Sequence, residues 1–449
     1  MNDASRYSLD LTPRSTSVPA PVIPAPVIPP GAETPSRARP LRTGVFGVLD
    51  VGSIKVTCLI GRVDSDGQLR VLGFGWHQSR GVKAGGIIDP NEAERAIRKA
   101  VGDAESMADH RLRAVLVNLG CGHPASQLVE VQWPVGGRAV SDQDVRRVIH
   151  EGRARAMADG RDTIHVLPLA FGVDDTPGVP DPRGLHCDTL SARLHVVDAG
   201  TTALRNLVLT LEKCELSLAE LVSAPLAAGL STLVEDERQL GATVIDMGGG
   251  TTGMAVFSDG QAVGTALLGV GGGHVTNDIA RVLSTTVAHA ERLKTLYGSA
   301  VASPDDEREM LALPLVGEAE HHVGRVPRSR VVEVIRPRLE ETFELVRDRL
   351  KTTGLAREAG NRVVLTGGAS QLSGVRELAG RILDRQVRLG RPHALRGLPD
   401  HASGPAFATA AGLMAWAAGA GRSLPDIDVF EEASPGWLKR LANYLRDRV

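Results

Sequence analysis

Apolar residues run through most of this chain in short stretches broken by glycine turns. Thr43-Gly-Val-Phe-Gly-Val-Leu-Asp50 predicts a strand, Val51-Gly52-Ser53 a turn, and Ile54 to Arg62 the returning strand of a hairpin. Leu69 to Trp76 predicts a third strand. Helical spacing covers Asn91 to Ala108, opened by Asp89-Pro90. Ala114-Val-Leu-Val-Asn-Leu119 predicts a buried strand, Leu204 to Cys214 a helix, Leu218 to Val222 a strand and Pro225 to Glu235 another helix. The strand–turn–strand pattern then returns at Ala242 to Phe257, about two hundred residues after its first appearance. One motif used twice implies two similar halves with a cleft between them.

Three stretches break this pattern. Residues 122 to 203 carry strand-like runs (Gln127 to Pro134, His165 to Val173, Leu190 to Val197) around a helix at Asp142 to Ala158. The loop Asp174 to Gly184 in this stretch holds three prolines. This reads as an inserted α+β module. Residues 1 to 42 hold nine prolines and the tandem repeat Ala20-Pro-Val-Ile-Pro24, Ala25-Pro-Val-Ile-Pro29. Proline at that density blocks helix and sheet hydrogen bonding, so a disordered arm is expected, as spacer or docking peptide. Ala402 to Gly421 has no charge over twenty residues. That length would span a bilayer, but its Ala and Gly content suits a buried helix that lets neighbouring backbone come close.

Composition narrows the function. The 449 residues allow two or three domains. The formal net charge of −2 and an aromatic content of 3% supply neither the field nor the stacking platforms for nucleic acid, which is not expected as a partner. Cys58, Cys121, Cys187 and Cys214 form no CxxC pair and no zinc spacing, as suits a reducing compartment, and the opening residues do not read as a signal peptide.

The candidate chemistry lies at the turns. Asp50-Val-Gly-Ser-Ile-Lys55 and Asp246-Met-Gly-Gly-Gly-Thr-Thr252 each follow an apolar strand and each place glycine two residues after an aspartate. Glycine lets backbone N–H groups face an anion with no Cβ in the way. Ser53, Thr251 and Thr252 add hydroxyls, with Gly52, Ile54, Gly248, Gly249 and Gly250 shaping the turns. Asp50 and Asp246 would repel a polyphosphate unless a cation, most naturally Mg²⁺ held through water, lay between them. Lys55 offers positive charge. A third small-residue turn, Gly367-Gly368-Ala369, follows the strand Val363 to Thr366 and offers a flat surface for adenosine. A fourth, Gly269 to His274, includes Gly272 and leads into a helix. Downstream, Glu291 and Lys294 stand one helical turn apart, either gripping a ribose or adenine edge or forming a surface ion pair.

These loops resemble the actin-like bacterial cell-division family FtsA. His165-Val-Leu-Pro168, Asp181-Pro-Arg-Gly184, Glu235-Asp-Glu237 and Gly436-Trp-Leu-Lys-Arg440 are similar to it as well. The resemblance covers about Val45 to the last residue and implies an α/β actin-like ATPase-superfamily fold of two related ribonuclease-H-like halves. In that fold subdomain 1A takes 43–121, 204–238 and 399–421. Subdomain 1C takes the insertion 122–203 and serves protomer contacts. Subdomain 2A takes 239–274 and 336–398, and 2B takes 275–335. A linker (422–435) and an amphipathic helix (436–449) follow. One departure is Gly120-Cys121-Gly122 where the family usually has Ser-Gly before the histidine near His123.

ATP and Mg are the implied cofactors, with polymerisation of the chain itself. The partners implied are the C-terminal peptide of the tubulin-like protein FtsZ, an anionic membrane and later division proteins. The expected location is the inner face of the cytoplasmic membrane at the septum. Trp437, Leu438, Leu441 and Leu445 fall on one side of the final helix, with Lys439 and Arg440 on the other, as suits lipid headgroups. Arg325, Arg328, Arg330, Arg336 and Arg338 lie where the family binds the acidic FtsZ peptide, though they can equally pair with acids of this chain, such as Glu340 and Glu341. The step Ser223-Ala224-Pro225 carries no acid where related chaperones place a glutamate, so ATP turnover is expected to be slow or negligible. A pilus-assembly scaffold of the PilM type and a small-molecule kinase remain as alternatives on the same fold.

Overall fold

The computed structural model describes residues 44–421, apart from Asp66 and residues 319–322. The proline-rich arm, the acidic linker and the final helix expected from sequence lie outside the described residues.

The chain opens with the meander β1 (Val45–Val51), β2 (Lys55–Val63) and β3 (Leu69–Gln78). A small hairpin, β4 (Val82–Lys83) with β5 (Gly86–Ile87), leads to helix α1 (Pro90–Ala108) and strand β6 (Ala114–Leu119). Helix α1 starts where the sequence predicts it, because the Asp89 carboxylate accepts from the amides of Asn91 and Glu92 and Pro90 needs no partner for a missing N–H. Its alanine-rich face (Ala93, Ala96, Ala100, Ala104) lets it lie close on β3, where a Cβ on Gly73 or Gly75 would strike the helix backbone.

The inserted module follows: β7 (Ala125–Pro134), α2 (Asp142–Ala156), β8 (Arg161–Val173), β9 (Thr176–Val179) and β10 (Thr189–Gly200). They form one sheet of order β7-β10-β8-β9 with α2 packed on one face. A loop was expected over Asp174 to Gly184, but β9 forms within it. Pro177 is tolerated there because β9 is an edge strand.

The first half resumes with α3 (Thr201–Lys213), β11 (Ser217–Ser223), α4 (Ala224–Thr232) and α5 (Glu235–Leu240). The helix expected over Pro225 to Glu235 is two helices, since Leu233 and Val234 are extended between them. The second half consists of β12 (Ala242–Met247), β13 (Thr252–Ser258), β14 (Gln261–Leu268), α6 (Gly272–Val282), α7 (Val287–Tyr297), β15 (Met310–Pro314), β16 (Val323–Pro327), α8 (Arg328–Thr352), β17 (Arg362–Thr366), α9 (Val375–Leu383) and β18 (Gln386–Leu389), after which α10 (Ala408–Ala417) packs back on α4 and the first sheet.

The two large sheets share one topology. In the first, the order is β11-β6-β1-β2-β3; in the second, β14-β13-β12-β17-β18. In each, the first strand pairs antiparallel with the second and parallel with the strand that returns beside it. The repeated strand–turn–strand motif of the sequence is thus the central strand and its antiparallel neighbour in each of two related sheets. A subdomain boundary expected at 335/336 falls inside the single helix α8, which runs on through Pro337.

Ala402 to Gly421 forms two short 3-10 turns and then the buried helix α10, not a membrane span. Among the described residues no helix is long and apolar enough to cross a membrane. Gly412 of α10 sits against the Ala227 carbonyl of α4, where a Cβ would collide with the oxygen. Residues of α4 and α10 share one apolar cluster with Val48 and Leu59 of the first sheet and Val244 and Val364 of the second, so this helix pair joins the halves.

Candidate functional site

Two Asp-x-Gly turns lie at equivalent ends of the two sheets, and the fold brings them face to face. A Cβ added to Gly250 would land on Ser53 Oγ, and one added to Gly249 would land on the Ile54 side chain. The third and fourth turns close around the second. The amides of Gly272 and Gly273, at the start of α6, donate to the carbonyls of Gly248 (2.9 Å) and Gly249 (2.7 Å). Gly367 has φ +84°, which favours glycine, and a side chain there would run into Asp246 Oδ1 and the Met247 carbonyl. Ala369 touches Gly272.

At the base of this cleft three ionisable groups stand together, Asp50 buried and Lys55 and Asp246 half-buried. Burial pushes the Asp50 carboxyl up to about 7, with Lys55 opposing the shift and Asp246 adding to it. Burial likewise raises Asp246, against the Thr409 hydrogen bond and Lys55. Lys55 is lowered to about 8 by burial, which outweighs the pull of both carboxylates. One ammonium against two carboxylates leaves room for a cation, and the donor set fits a hydrated Mg²⁺ better than a bare phosphate.

The sequence-predicted residues divide here. Asp50, Gly52, Ser53, Ile54, Asp246, Gly248, Gly249, Gly250, Gly272, Gly367 and Ala369 gather at or around the meeting loops, with Thr251 and Gly368 carried on the same turns. Lys294 reaches them too: its ammonium donates to Gly272 O (3.2 Å), Thr276 Oγ1 (2.9 Å) and Glu291 Oε2 (2.6 Å). Glu291 and Lys294 are therefore an ion pair, but one seated at the mouth of α6 beside Ala369.

Two expectations need correction. Thr252 is fully buried and its hydroxyl donates to the Val270 carbonyl (2.8 Å), so it braces the turn before α6 and does not face the cleft. The Lys55 ammonium is turned to the Ala406 carbonyl and lies over the Phe407 ring, 3.1 Å from its centroid, rather than over the glycine loop.

Some residues at the site were not anticipated. Thr409 Oγ1 donates to Asp246 Oδ2 (2.9 Å). Asn118 Oδ1 accepts from the Val51 amide (2.7 Å) and so fixes the first turn. Each is a polar residue inside an otherwise apolar stretch, and that was the available signal.

The arginines suggested for peptide capture are mostly paired within the chain. Arg328 is taken up by Asp306 (2.8 Å) and the Tyr297 carbonyl (2.8 Å). Arg336 pairs with Glu340 and Arg330 with Glu333. Arg338 grips Asp278 through two nitrogens (2.6 and 3.2 Å) and also pairs with Glu341. Arg325 is exposed on β16. Arg330 and Arg338 line a groove of about 540 Å³ between α6 and α8, together with Arg281, Val282, Val334 and Pro337.

Comparison with known proteins adds the family and the fold class. The model of the cell division protein FtsA family matches residues 243–412, and that of the SHS2 domain inserted in FtsA matches residues 121–198. The chain is 43% identical over 392 residues to the cell division protein FtsA of Agrobacterium fabrum (strain C58), covering 84% of this chain and 88% of the relative. It is 33% identical over 411 residues to that of Escherichia coli (strain K12), covering 89% and 96%. Among solved structures, the PilM–PilN type IV pilus biogenesis complex superposes with a TM-score of 0.60 at 18% identity, over 83% of this chain and 98% of that one. MreB5 of Spiroplasma citri bound to AMPPNP superposes with a TM-score of 0.50 at 15% identity, over 83% and 95%. These two share the actin-like fold seen in the paired sheets. With the fold, the inserted module and the sequence in agreement, this chain belongs to the FtsA family of bacterial cell-division proteins.

Proposed function

We propose that this chain binds Mg-ATP between its two glycine turns, assembles into polymers, and anchors FtsZ filaments to the cytoplasmic face of the membrane at the division septum, where it helps recruit later division proteins. The observation that carries the nucleotide reading is the meeting of two Asp-x-Gly turns over the carboxylates of Asp50, which is buried, and Asp246, which is half-buried. Bound Mg²⁺ would let Asp50 and Asp246 face a polyphosphate without repulsion. Gly248, Gly249 and Gly250 let the backbone come close to phosphate oxygens, Gly272 and Ala369 offer a flat small-residue surface for adenosine, and Lys294 with Glu291 stands at its edge. The AMPPNP on the MreB5 relative in fold supports the nucleotide class.

Nucleotide acts here as a ligand for assembly more than as a substrate. No acid stands at Ser223-Ala224-Pro225, and the Ser223 amide is already bonded to His165 Nε2 (3.0 Å). A turnover on the order of 1 s⁻¹, the low end for ordinary enzymes, would sink this part of the reading.

The FtsZ peptide is assigned to the groove between α6 and α8, where Arg281, Arg330 and Arg338 stand beside the apolar Val282, Val334 and Pro337, and where the peptide's acids would compete with Asp278, Glu333 and Glu341 of the same lining for Arg330 and Arg338. Trp437, Leu438, Leu441 and Leu445, with Lys439 and Arg440, supply the membrane anchor. Co-sedimentation with FtsZ on anionic liposomes, with and without ATP, tests the whole reading. Equal recovery of FtsZ with and without this protein would overturn it.

A further inference from the structure

Between β3 and α1 the chain makes the small hairpin β4–β5, which belongs to neither large sheet. Val82 pairs with Ile87 and Lys83 with Gly86. The two residues left to turn, Ala84 and Gly85, have φ of +46° and +78°. Positive φ at both central residues makes the tight hairpin turn that glycine and asparagine favour, and alanine adopts it at a cost.

The tip of this hairpin is pinned beside the site. The Gly85 amide donates to Ser53 Oγ of the first Asp-x-Gly turn (3.2 Å). Gly85 also lies against the Gly120 carbonyl just past β6, where a Cβ would fall 1.7 Å from the oxygen. The Ala84 nitrogen stands next to Gly250 of the second turn, 3.1 Å from where a Cβ on Gly250 would be. One hairpin tip therefore touches both turns.

The lysines brought to these loops are in different states. Lys55 is drawn to the Ala406 carbonyl and the Phe407 ring. Lys294 is shared among Gly272, Thr276 and Glu291. Lys83 is exposed at the hairpin tip, and among the described residues its ammonium has no ion pair or hydrogen bond. Most exposed lysines are simply solvated. This one stands next to a strained turn held against two loops that face an anion, and its flexible four-carbon stem and point charge suit a phosphate oxygen.

The order of groups along the cleft says which phosphate. Ala369 touches Gly272, the Gly272 amide donates to the Gly248 carbonyl, and Gly250 meets Ser53 and Ala84. A nucleotide with its adenosine on Gly272 and Ala369 runs past Gly248 and Gly249 toward Gly250, and the far end of its polyphosphate comes to the hairpin.

We infer that Lys83 binds the terminal phosphate of a nucleoside triphosphate, and that the hairpin carrying it makes the site prefer triphosphate to diphosphate. This rests on the nucleotide reading above and adds the group that reads the length of the phosphate chain.

The test is calorimetric titration of the full chain with Mg-ATP and, separately, with Mg-ADP. The parent protein is expected to bind ATP more tightly. Lys83→Gln is expected to bind ATP about tenfold more weakly, as for the loss of one charge-assisted hydrogen bond, and ADP within about twofold of the parent. Lys83→Arg keeps the charge and is expected to keep most of the preference. The quantity read is the ratio of ATP to ADP affinity within each protein, which partial misfolding does not move. An unchanged ratio in Lys83→Gln, with the parent binding both, overturns the role of Lys83 and leaves the nucleotide reading standing. Equal weakening toward ATP and ADP shows a general pull on anions and overturns the contact with the terminal phosphate, as does a parent without preference. A parent that binds neither nucleotide overturns the nucleotide reading and this inference with it.

Discussion

Thr409 and Asp246 are bonded across the cleft floor: the threonine hydroxyl donates to Oδ2 over 2.9 Å, from a helix that begins 161 or more residues after the β12 strand ends. The bond favours the ionised carboxylate against burial, which pushes it the other way. Thr409→Val removes that donor and nearly keeps the shape. The expected outcomes are a stability loss of roughly 1–3 kcal/mol, from a buried acceptor left unpaired, and weaker Mg-ATP binding. Thermal melts with and without Mg-ATP read both. A variant with unchanged stability and affinity would show the bond to be incidental.

The pH dependence follows from the same group of charges. Asp50 titrates near 7 in the folded protein, against 3.8 ordinarily. Its pKa is raised on folding, so its contribution to stability is full below the ordinary value and is lost as pH rises through about 7. Lys55 is lowered to about 8, so its contribution is present above its ordinary value of 10.5 and is lost as pH falls toward 8. Without nucleotide, the site therefore strains the fold most near neutral pH. A cation held by the carboxylates needs them ionised, so Mg-ATP affinity should rise between pH 6 and pH 8, a range on either side of the Asp50 value. Asp50→Asn should flatten that rise. Titration calorimetry at several pH values checks it, and a flat profile for the parent protein would count against Asp50 as a cation holder.

Much of this was readable before the structure. The loops at Asp50 and Asp246 stand out because local sequence alone encodes them: an apolar strand, an aspartate, then glycine. The start of α1 is local in the same way, fixed by Asp89 and Pro90. What escaped was set by distant packing. Lys55 meets Ala406 across 351 residues, and nothing near Lys55 shows that its ammonium will be drawn over Phe407. Thr252 reads as a phosphate ligand by spacing, yet its alternate-facing position on β13 turns it inward to Val270. Side-chain direction in a strand has a period of two, and a glycine run hides where that count begins.

Glycine substitutions separate site from scaffold. Gly250→Ala puts a methyl against Ser53 Oγ, at the mouth of the cleft, where the loops can part. Gly412→Ala puts one against the Ala227 carbonyl between two buried helices, where nothing can part without splitting the halves. The first is expected to alter nucleotide binding with little change in melting temperature. The second should cost roughly 1–3 kcal/mol by overpacking, or more, since its neighbour is backbone. Equal effects on melting would show that the loop contact is as rigid as the core.

Two arginines test the groove between α6 and α8. Arg330 pairs with Glu333 alone, on the surface, whereas Arg338 bridges Asp278 and Glu341. Arg330→Glu should therefore weaken binding of the FtsZ C-terminal peptide with stability changed by no more than about 1 kcal/mol. Arg338→Glu should weaken it as well, and should also destabilise, because it sets a third acid beside two others. Fluorescence anisotropy with a labelled peptide reads the affinity. Peptide binding untouched by both changes would place the peptide elsewhere.

The proposed membrane anchor is tested on the full chain by flotation with anionic liposomes. Trp437, Leu438, Leu441 and Leu445 share one side of a helical projection, and Lys439, Arg440 and Arg446 the other. Trp437→Glu removes the largest apolar group from that side and adds a charge that anionic headgroups repel, so flotation should be lost. Each basic residue near such a surface contributes about 1 kcal/mol at physiological salt and is screened beyond it. Raised salt should therefore weaken flotation of the parent protein without abolishing it, because the apolar side is not screened. Flotation that disappears with salt alone would assign the binding to charge and leave Trp437 no role in it. Flotation unchanged in Trp437→Glu would remove the anchor from this segment altogether.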